Sequence, residues 1–271
     1  MNLSDRVALV TGGASGIGRG IAGVLLSRGA RVAITDVRPE ALEETRAYFS
    51  GYRGRVLTYP LDVSDRPAFG GVVSYIERDL GLIEVLINNA GVGYSGVPLH
   101  QTPDNDIDWV LDVNLKGVLN GIKAVVPGMV ERRSGWVVNV SSMSGLALPS
   151  GIHHGLYGAT KAAVTFLSEG MRQDLIGSGV GVTVLCPGYV RTNLPWSSTY
   201  RSAKHGGPTT REPSPGVLAA MRRAMDPAEA GELVAGAIEQ EKFFVFTDIE
   251  EMTDVLAWHS RVDEALAAVG A

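Results

Sequence analysis

The chain has 271 residues, 45% of them hydrophobic, a single cysteine and a formal net charge of −5. That length and apolar content suffice for one large α/β core, and a negative balance with no long basic run argues against nucleic acid or an anionic membrane as a partner. A lone Cys186 rules out an intrachain disulfide framework, no apolar run approaches the ~18 residues of a membrane span, and the N-terminus lacks a basic-then-apolar leader, so a soluble cytoplasmic protein is expected.

Short β-branched runs alternate with longer helical patterns. "RVALVTG" (6–12) reads as a strand and turn, and "GIGRGIAGVLLSRGA" (16–30) as a helix with Ile17, Ile21, Val24 and Leu25 on one stripe. "RVAITDV" (31–37) is a second strand, and Pro39 opens a helix over 39–49. Further strands are expected at 55–63, 84–91, 135–142, 181–188 and 243–247, and helices near 66–80, 104–132, 157–177, 227–241 and 250–269. Several strands are continuous apolar runs, as parallel strands covered on both faces are. The alternation implies right-handed strand–helix–strand units in one α/β domain spanning 1–271. The expected architecture is a doubly wound, Rossmann-like, mostly seven-stranded parallel sheet with helices on both faces. The segment 192–225 contains "TNLPWSSTYRSAKHGGPTTREPSPG", which is long for a connection, and it is expected to be a substrate lid.

After the first strand comes Thr11-Gly12-Gly13-Ala14-Ser15-Gly16-Ile17-Gly18, followed by a helix. Glycines there let the backbone turn tightly and approach a pyrophosphate, which the helix N-terminus then holds. The spacing is G-x-x-x-G-x-G, different from the G-x-G-x-x-G dinucleotide fingerprint, and no Walker-type lysine follows. Asp36 ends the second strand, where a carboxylate accepts both adenosine ribose hydroxyls and repels a 2′-phosphate. NAD is therefore favoured, and Arg38, two residues on, leaves NADP open. A turn-forming Asp before Pro39 is the plainer reading of the same residue.

Tyr157 and Lys161 lie four apart in "GLYGATKAA", on one helix face. A cation so close lowers a phenol's pKa. Taken alone, the pair reads as a core tyrosine beside a lysine that reaches solvent.

Together these residues resemble the compact branch of the short-chain dehydrogenase/reductase family. The resemblance rests on Thr11–Gly18, "NNAG" at 88–91, Asn114, Ser141/Ser142, Tyr157-x-x-x-Lys161 and Pro187-Gly188, and covers residues 5 to about 192 in order. It implies that Tyr157 is the general acid–base, Lys161 its cationic partner and a ligand of the nicotinamide ribose, and Ser142 the hydroxyl that orients the substrate oxygen. Asn114 would hold a water in a proton relay. For a phenol of ordinary pKa near 10 to work near neutrality, that pKa must fall by roughly 3, or about 4 kcal/mol. The resemblance also implies dinucleotide contacts at Gly12, Ser15, Gly16, Ile17, Gly18 and Asp36, at Asp62 and Val63 for adenine, and at Asn89, Ala90 and Gly91 for the ribose. Pro187, Gly188, Val190 and Thr192 would serve the nicotinamide. The asparagines of "NNAG" have a structural alternative, tying strands together. Ser142 and Tyr157 are 15 apart, against about a dozen in the family, so the loop between them is enlarged. Adjacent strand residues face opposite ways, so at most one of Ser141 and Ser142 faces the site.

Met143, Leu148, Leu156, Tyr189, Leu194 and Trp196 are expected to line an apolar pocket with Ser142, His154 and Tyr157, suited to a small hydrophobic alcohol or ketone. No metal is expected, because His153 and His154 have no ligand set around them. Cys186 reads as a small buried apolar residue. The family commonly forms homotetramers, so a tetramer or dimer is anticipated. The expected activity is hydride transfer between NAD(P) and a secondary alcohol or ketone. The alternative is a non-catalytic dinucleotide-binding module that senses redox state, against which the Asn114, Ser142, Tyr157 and Lys161 set argues.

Overall fold

The computed structural model describes residues 1–149, 152–247 and 252–269. Seven strands form one parallel sheet in the order β3-β2-β1-β4-β5-β6-β7. They are β1 (Val7–Thr11), β2 (Arg31–Asp36), β3 (Val56–Pro60), β4 (Val85–Asn88), β5 (Gly135–Val140), β6 (Val180–Cys186) and β7 (Phe244–Phe246). The helices among the described residues are α1 (Gly16–Ser27), α2 (Pro39–Tyr48), α3 (Arg66–Asp79), α4 (Asp104–Leu111), α5 (Gly117–Arg132), α6 (Gly155–Asp174), α7 (Pro215–Arg223), α8 (Pro227–Glu239) and α9 (Met252–Val269). The doubly wound α/β expectation holds. Residues 250 and 251 of the expected tail helix lie outside the described residues.

The continuous apolar strands are explained by what each face buries. Successive side chains point to opposite sides of a strand. Ala8 and Val10 of β1 and Trp136, Val138 and Val140 of β5 pack with α1 and α8 residues such as Ile21, Leu25, Val234 and Ile238. Val7, Leu9 and Val137 pack instead with Phe69, Ile76, Val125 and Met129 of α3 and α5. Neither face reaches water, so no polar alternation survives in the sequence. The α1–α8 contact is backbone to backbone, because a Cβ on Gly20 would collide with the carbonyl of Pro227.

One helical stretch differs from expectation. The 104–132 run is α4, then a π-helical turn over Asp112–Lys116, then α5. The turn carries Asn114, whose side chain leaves the helix to bind the backbone of Val92. Such single wide turns recur at functional sites.

Polar groups tie α6 to the sheet. Asn88 Nδ2 donates to Asn139 Oδ1 (2.9 Å), and Asn139 Nδ2 donates to Ser168 on α6 (3.0 Å). Ser141 Oγ donates to the Lys161 carbonyl (2.7 Å). All these groups are buried, where losing one partner costs about 1–3 kcal/mol. They set the position of α6 against β5. The chain reverses its winding between β1 and β4, and open α/β sheets bind ligands at such a point, beyond the carboxyl ends of the strands.

Candidate active site

A cleft of about 630 Å³ opens at that place, within the usual range for a small-molecule site. Its floor is the turn after β1. Gly12 (φ +59°) and Gly16 (φ +51°) take the left-handed conformation. A Cβ would stand 2.8 Å from Ala90 Cα at Gly12 and 2.7 Å from Thr192 Cγ2 at Gly16, so no side chain fits either position. Gly12, Ser15, Gly16 and Ile17 face the cleft at the start of α1. Gly18 does not line it. A Cβ there would collide with Asn89 and the Gly12 carbonyl, so its role is packing.

Asp36 and Arg38 line the cleft at the end of β2. Arg38 grips both oxygens of the buried Asp36 carboxylate (Nε to Oδ1 3.1 Å, Nη2 to Oδ2 3.3 Å) and donates to Ser15 Oγ at 2.9 Å. The Tyr200 ring packs on the guanidinium at 4.6 Å. Asp62 and Val63 also line the wall, and Asp62 is 3.7 Å from Lys204 Nζ. Asn89 reaches the cleft, yet its amide is used elsewhere. Nδ2 donates to the carbonyls of Thr11 (2.9 Å) and Gly12 (3.0 Å), which brings the tip of β4 against the glycine turn. Ala90 and Gly91 follow on the wall, and Pro187, Gly188, Val190 and Thr192 also line the cleft. Donors at a helix N-terminus with glycine clearance, plus a buried carboxylate at the next strand's tip, fit the pyrophosphate and ribose of a dinucleotide.

Ser142, Tyr157 and Lys161 converge on the same cleft. Ser141 turns its hydroxyl away to Lys161 O and Thr165, whereas Ser142 accepts from Ser144 N (3.1 Å) on the cleft side. Lys161 is 4% exposed and donates to Val140 O at 2.9 Å. Its ammonium lies 5.7 Å from the centre of the Tyr157 ring. Burial pushes Lys161 down from 10.5 to about 8, opposed weakly by Cys186. His154 stacks on Tyr157 (4.8 Å between rings) and lines the cleft, and burial lowers its pKa. Asn114 is fully buried. Its Oδ1 accepts from Val92 N (2.7 Å) and its Nδ2 donates to Val92 O (3.0 Å), fixing the loop after β4. Cys186 is buried with its thiol pushed up to about 12 by desolvation. Among the described residues no group of three metal-ligating side chains occurs, and no helix is long and apolar enough to cross a membrane.

The expected substrate residues divide. Ser142, His154, Tyr157, Tyr189 and Leu194 line the cleft. Met143 instead packs in a buried cluster with Val184, Cys186 and Val255. Leu148 is half-exposed and fills the space beside Gly158. Leu156 packs with Val110 and Tyr157 behind the wall, and Trp196 lies outside the lining. Sequence reasoning missed Tyr94, Asp106, Trp109, Arg201 and Arg211, which do line it. The composition of 192–225 was the only local signal toward the last two.

That segment is an excursion pinned at its base. Val190 bridges Met225, with Arg191 N to Met225 O at 3.0 Å and Met225 N to Tyr189 O at 3.0 Å. Between them the chain forms short helical turns at Leu194–Tyr200 and Ala203–His205, and then α7. It touches the body through Arg201–Asp106, His205–Asp112 (3.0 Å) and Lys204 to Ser64 (2.6 Å).

Comparison with known proteins agrees with this geometry. The short chain dehydrogenase family model matches residues 6–203. The C alpha-dehydrogenase of a Sphingobium species is 36% identical over 249 residues, covering 90% of this chain and 81% of that one. The 2-(R)-hydroxypropyl-CoM dehydrogenase of Xanthobacter autotrophicus is 38% identical over 194 residues, covering 70% and 76%. A short chain dehydrogenase/reductase from Burkholderia phymatum, solved in complex with NAD, superposes with a TM-score of 0.88 at 29% identity, covering 98% of this chain and 96% of that one. With its cleft, its glycine turn and these relatives, the chain belongs to the short-chain dehydrogenase/reductase family and is an oxidoreductase that depends on a nicotinamide dinucleotide.

Proposed function

We propose that this protein moves a hydride between the nicotinamide and a secondary alcohol or ketone, with NAD favoured over NADP and Tyr157 as general acid–base. The observation that carries this reading is that Tyr157, Lys161 and Ser142 all line one cleft, with the Lys161 ammonium 5.7 Å from the Tyr157 ring. A bound dinucleotide supplies the two-electron redox chemistry. The chain's own groups bind, orient and move the proton. The Lys161 ammonium, 5.7 Å from the Tyr157 ring, favours the phenolate and so the uptake of an alcohol proton. Ser142 Oγ, open to the cleft, would hold the substrate oxygen beside the Tyr157 hydroxyl. Asn114 Oδ1 and Lys161 Nζ both lie beside Gly91, 3.3 and 3.4 Å from where a Cβ would stand, and this closeness of the two groups supports a relay between them. Asp36 supports NAD, while its pairing with Arg38 brings a cation to the same place and keeps NADP usable. The name of the Xanthobacter relative, which specifies a 2-hydroxypropyl group, supports a secondary alcohol.

The segment 192–225 acts in this reading as a lid that closes over the substrate, and exposed Phe166 on α6 and exposed Ile176 just beyond that helix offer apolar surface for a homodimer or homotetramer. We place the protein in the cytoplasm. The test is Tyr157→Phe assayed against a panel of alcohols and ketones with both coenzymes. Turnover should vanish while dinucleotide affinity stays within about threefold, a difference of under 1 kcal/mol. Wild-type turnover by the variant overturns the assignment. No absorbance change from wild type across the panel would favour the non-catalytic sensor.

A further inference from the structure

One end of the cleft carries a charge arrangement that hydride transfer does not use. Asp106 on α4 is buried, and two guanidinium groups meet it. Arg201 Nη1 bonds Oδ1, and Arg211 Nη2 lies 3.3 Å from Oδ2. The Tyr94 hydroxyl donates to the same Oδ2 at 2.9 Å. Each arginine also lies over an aromatic face, Arg201 over Trp109 (5.6 Å) and Arg211 over Tyr94 (4.8 Å). One carboxylate therefore faces two permanent cations.

The two arginines are not equivalent. Arg201 is 8% exposed and also donates Nε to Gly207 O at 2.9 Å, so it is committed to the fold. Arg211 is 43% exposed and lines the cleft; it hydrogen-bonds Asp106 and the Tyr94 hydroxyl, so not all of its five donors are spent within the fold. Glu212 also borders the cleft and is exposed, as Arg211 is; at Asp106 itself Arg201 balances the carboxylate and Arg211 is the second cation. Tyr94 and Trp109 belong to the same apolar cluster as Tyr157, so the surplus cation stands on the wall of the chamber that holds the Tyr157 ring. An apolar chamber with a guanidinium at one end suits a molecule with a hydrocarbon body and a planar anion, since the guanidinium fork matches a carboxylate.

We infer that the substrate carries a carboxylate remote from the reacting carbon, and that Arg211, steadied by Tyr94 and Asp106, receives it. This rests on the hydride-transfer reading above, and it changes the expected substrate from a neutral hydrophobic ketone to a keto or hydroxy acid. Arg211 is then a specificity-determining residue supplied by the lid, so the carboxylate helps hold the lid down over the cleft.

The test is a series of keto acids whose ketone lies two to about six carbons from the carboxylate, each paired with its methyl ester and reduced with NADH. At least one acid should exceed its ester in kcat/KM by about tenfold or more, the scale of one charge-assisted hydrogen bond. Arg211→Gln should raise KM for that acid by a similar factor with kcat little changed. The acid-to-ester ratio of kcat/KM should fall by that factor, and Arg211→Lys should recover part of the loss. A second readout needs no turnover. Calorimetry of benzoate and benzamide binding to the NADH complex should show benzoate weakened about tenfold by Arg211→Gln and benzamide unchanged. Acids and esters used alike, or benzoate bound equally by both proteins, overturns the inference even if neutral ketones are reduced. Loss of all turnover with the benzoate difference intact would instead sink the hydride-transfer reading and leave the anion site standing.

Discussion

Replacing Lys161 by methionine separates what this lysine does for the fold from what it does for the site. The ammonium is 4% exposed and touches Val140 O at 2.9 Å, and among the described residues no carboxylate pairs with it. Burial pushes it from 10.5 to about 8. At about 1.4 kcal/mol per tenfold change in proton affinity, keeping the charged form inside the fold near neutrality costs about 3 kcal/mol. Methionine keeps the chain length and apolar packing but loses the bond to Val140 O, about 1 kcal/mol. Lys161→Met should therefore be more stable by about 2 kcal/mol, raising Tm by roughly 4–8 °C for a domain of this size.

The sign with pH follows from the lowered pKa. The unfolded amine takes up its proton below about 10.5, whereas the folded one does so only below about 8. The penalty is complete below about pH 8 and fades to nothing as pH rises to about 10.5. Denaturant unfolding without coenzyme at about pH 7 and about pH 10 reads this directly. The variant's advantage should be large at the lower pH and nearly absent at the higher one, while turnover is lost throughout. Such an exchange of stability for function is common at active sites. A variant less stable than wild type at pH 7, or one whose gain is the same at both pH values, would refute the reasoning.

Other outcomes follow from single contacts. Gly20→Ala should destabilise by about 3 kcal/mol or more, since its Cβ meets the Pro227 backbone, whereas Gly70→Ala on the solvent face of α3, with open space around it, should gain up to about 1 kcal/mol. Paired thermal melts would expose the contrast, and similar shifts for both would contradict the close α1–α8 approach. Arg38→Gln removes the cation held beside Asp36, so KM for NADPH should rise about tenfold more than KM for NADH. Steady-state kinetics with both coenzymes decides it, and equal effects would remove Arg38 from coenzyme choice.

Much of the architecture was legible along the chain because it depends on near neighbours. The apolar runs of β1, β4, β5 and β6, the glycine turn before α1 and the four-residue step from Tyr157 to Lys161 follow from local periodicity, and each element appears where the pattern places it. The choice between Ser141 and Ser142 was also partly local, since alternation allows one of them to face the cleft and the structure turns Ser141 into α6.

Where side chains answer to partners far off in sequence, the tertiary structure decided. The helical pattern over 104–132 is continuous in sequence, yet it widens at Asp112–Lys116, where Asn114 satisfies the backbone of Val92. Asn89 stands near the expected ribose site, but its amide is used by Thr11 and Gly12, 78 and 77 positions away. Met143, Leu148 and Trp196 are apolar and close in sequence to motif residues, and their loops carry them off the cleft. Asp106 and Arg201 meet across 95 positions. Hydrophobic spacing sets which face of an element is buried, because that depends on a repeat of a few residues. Which polar group completes which site depends on how loops close in space, and no short-range repeat records it.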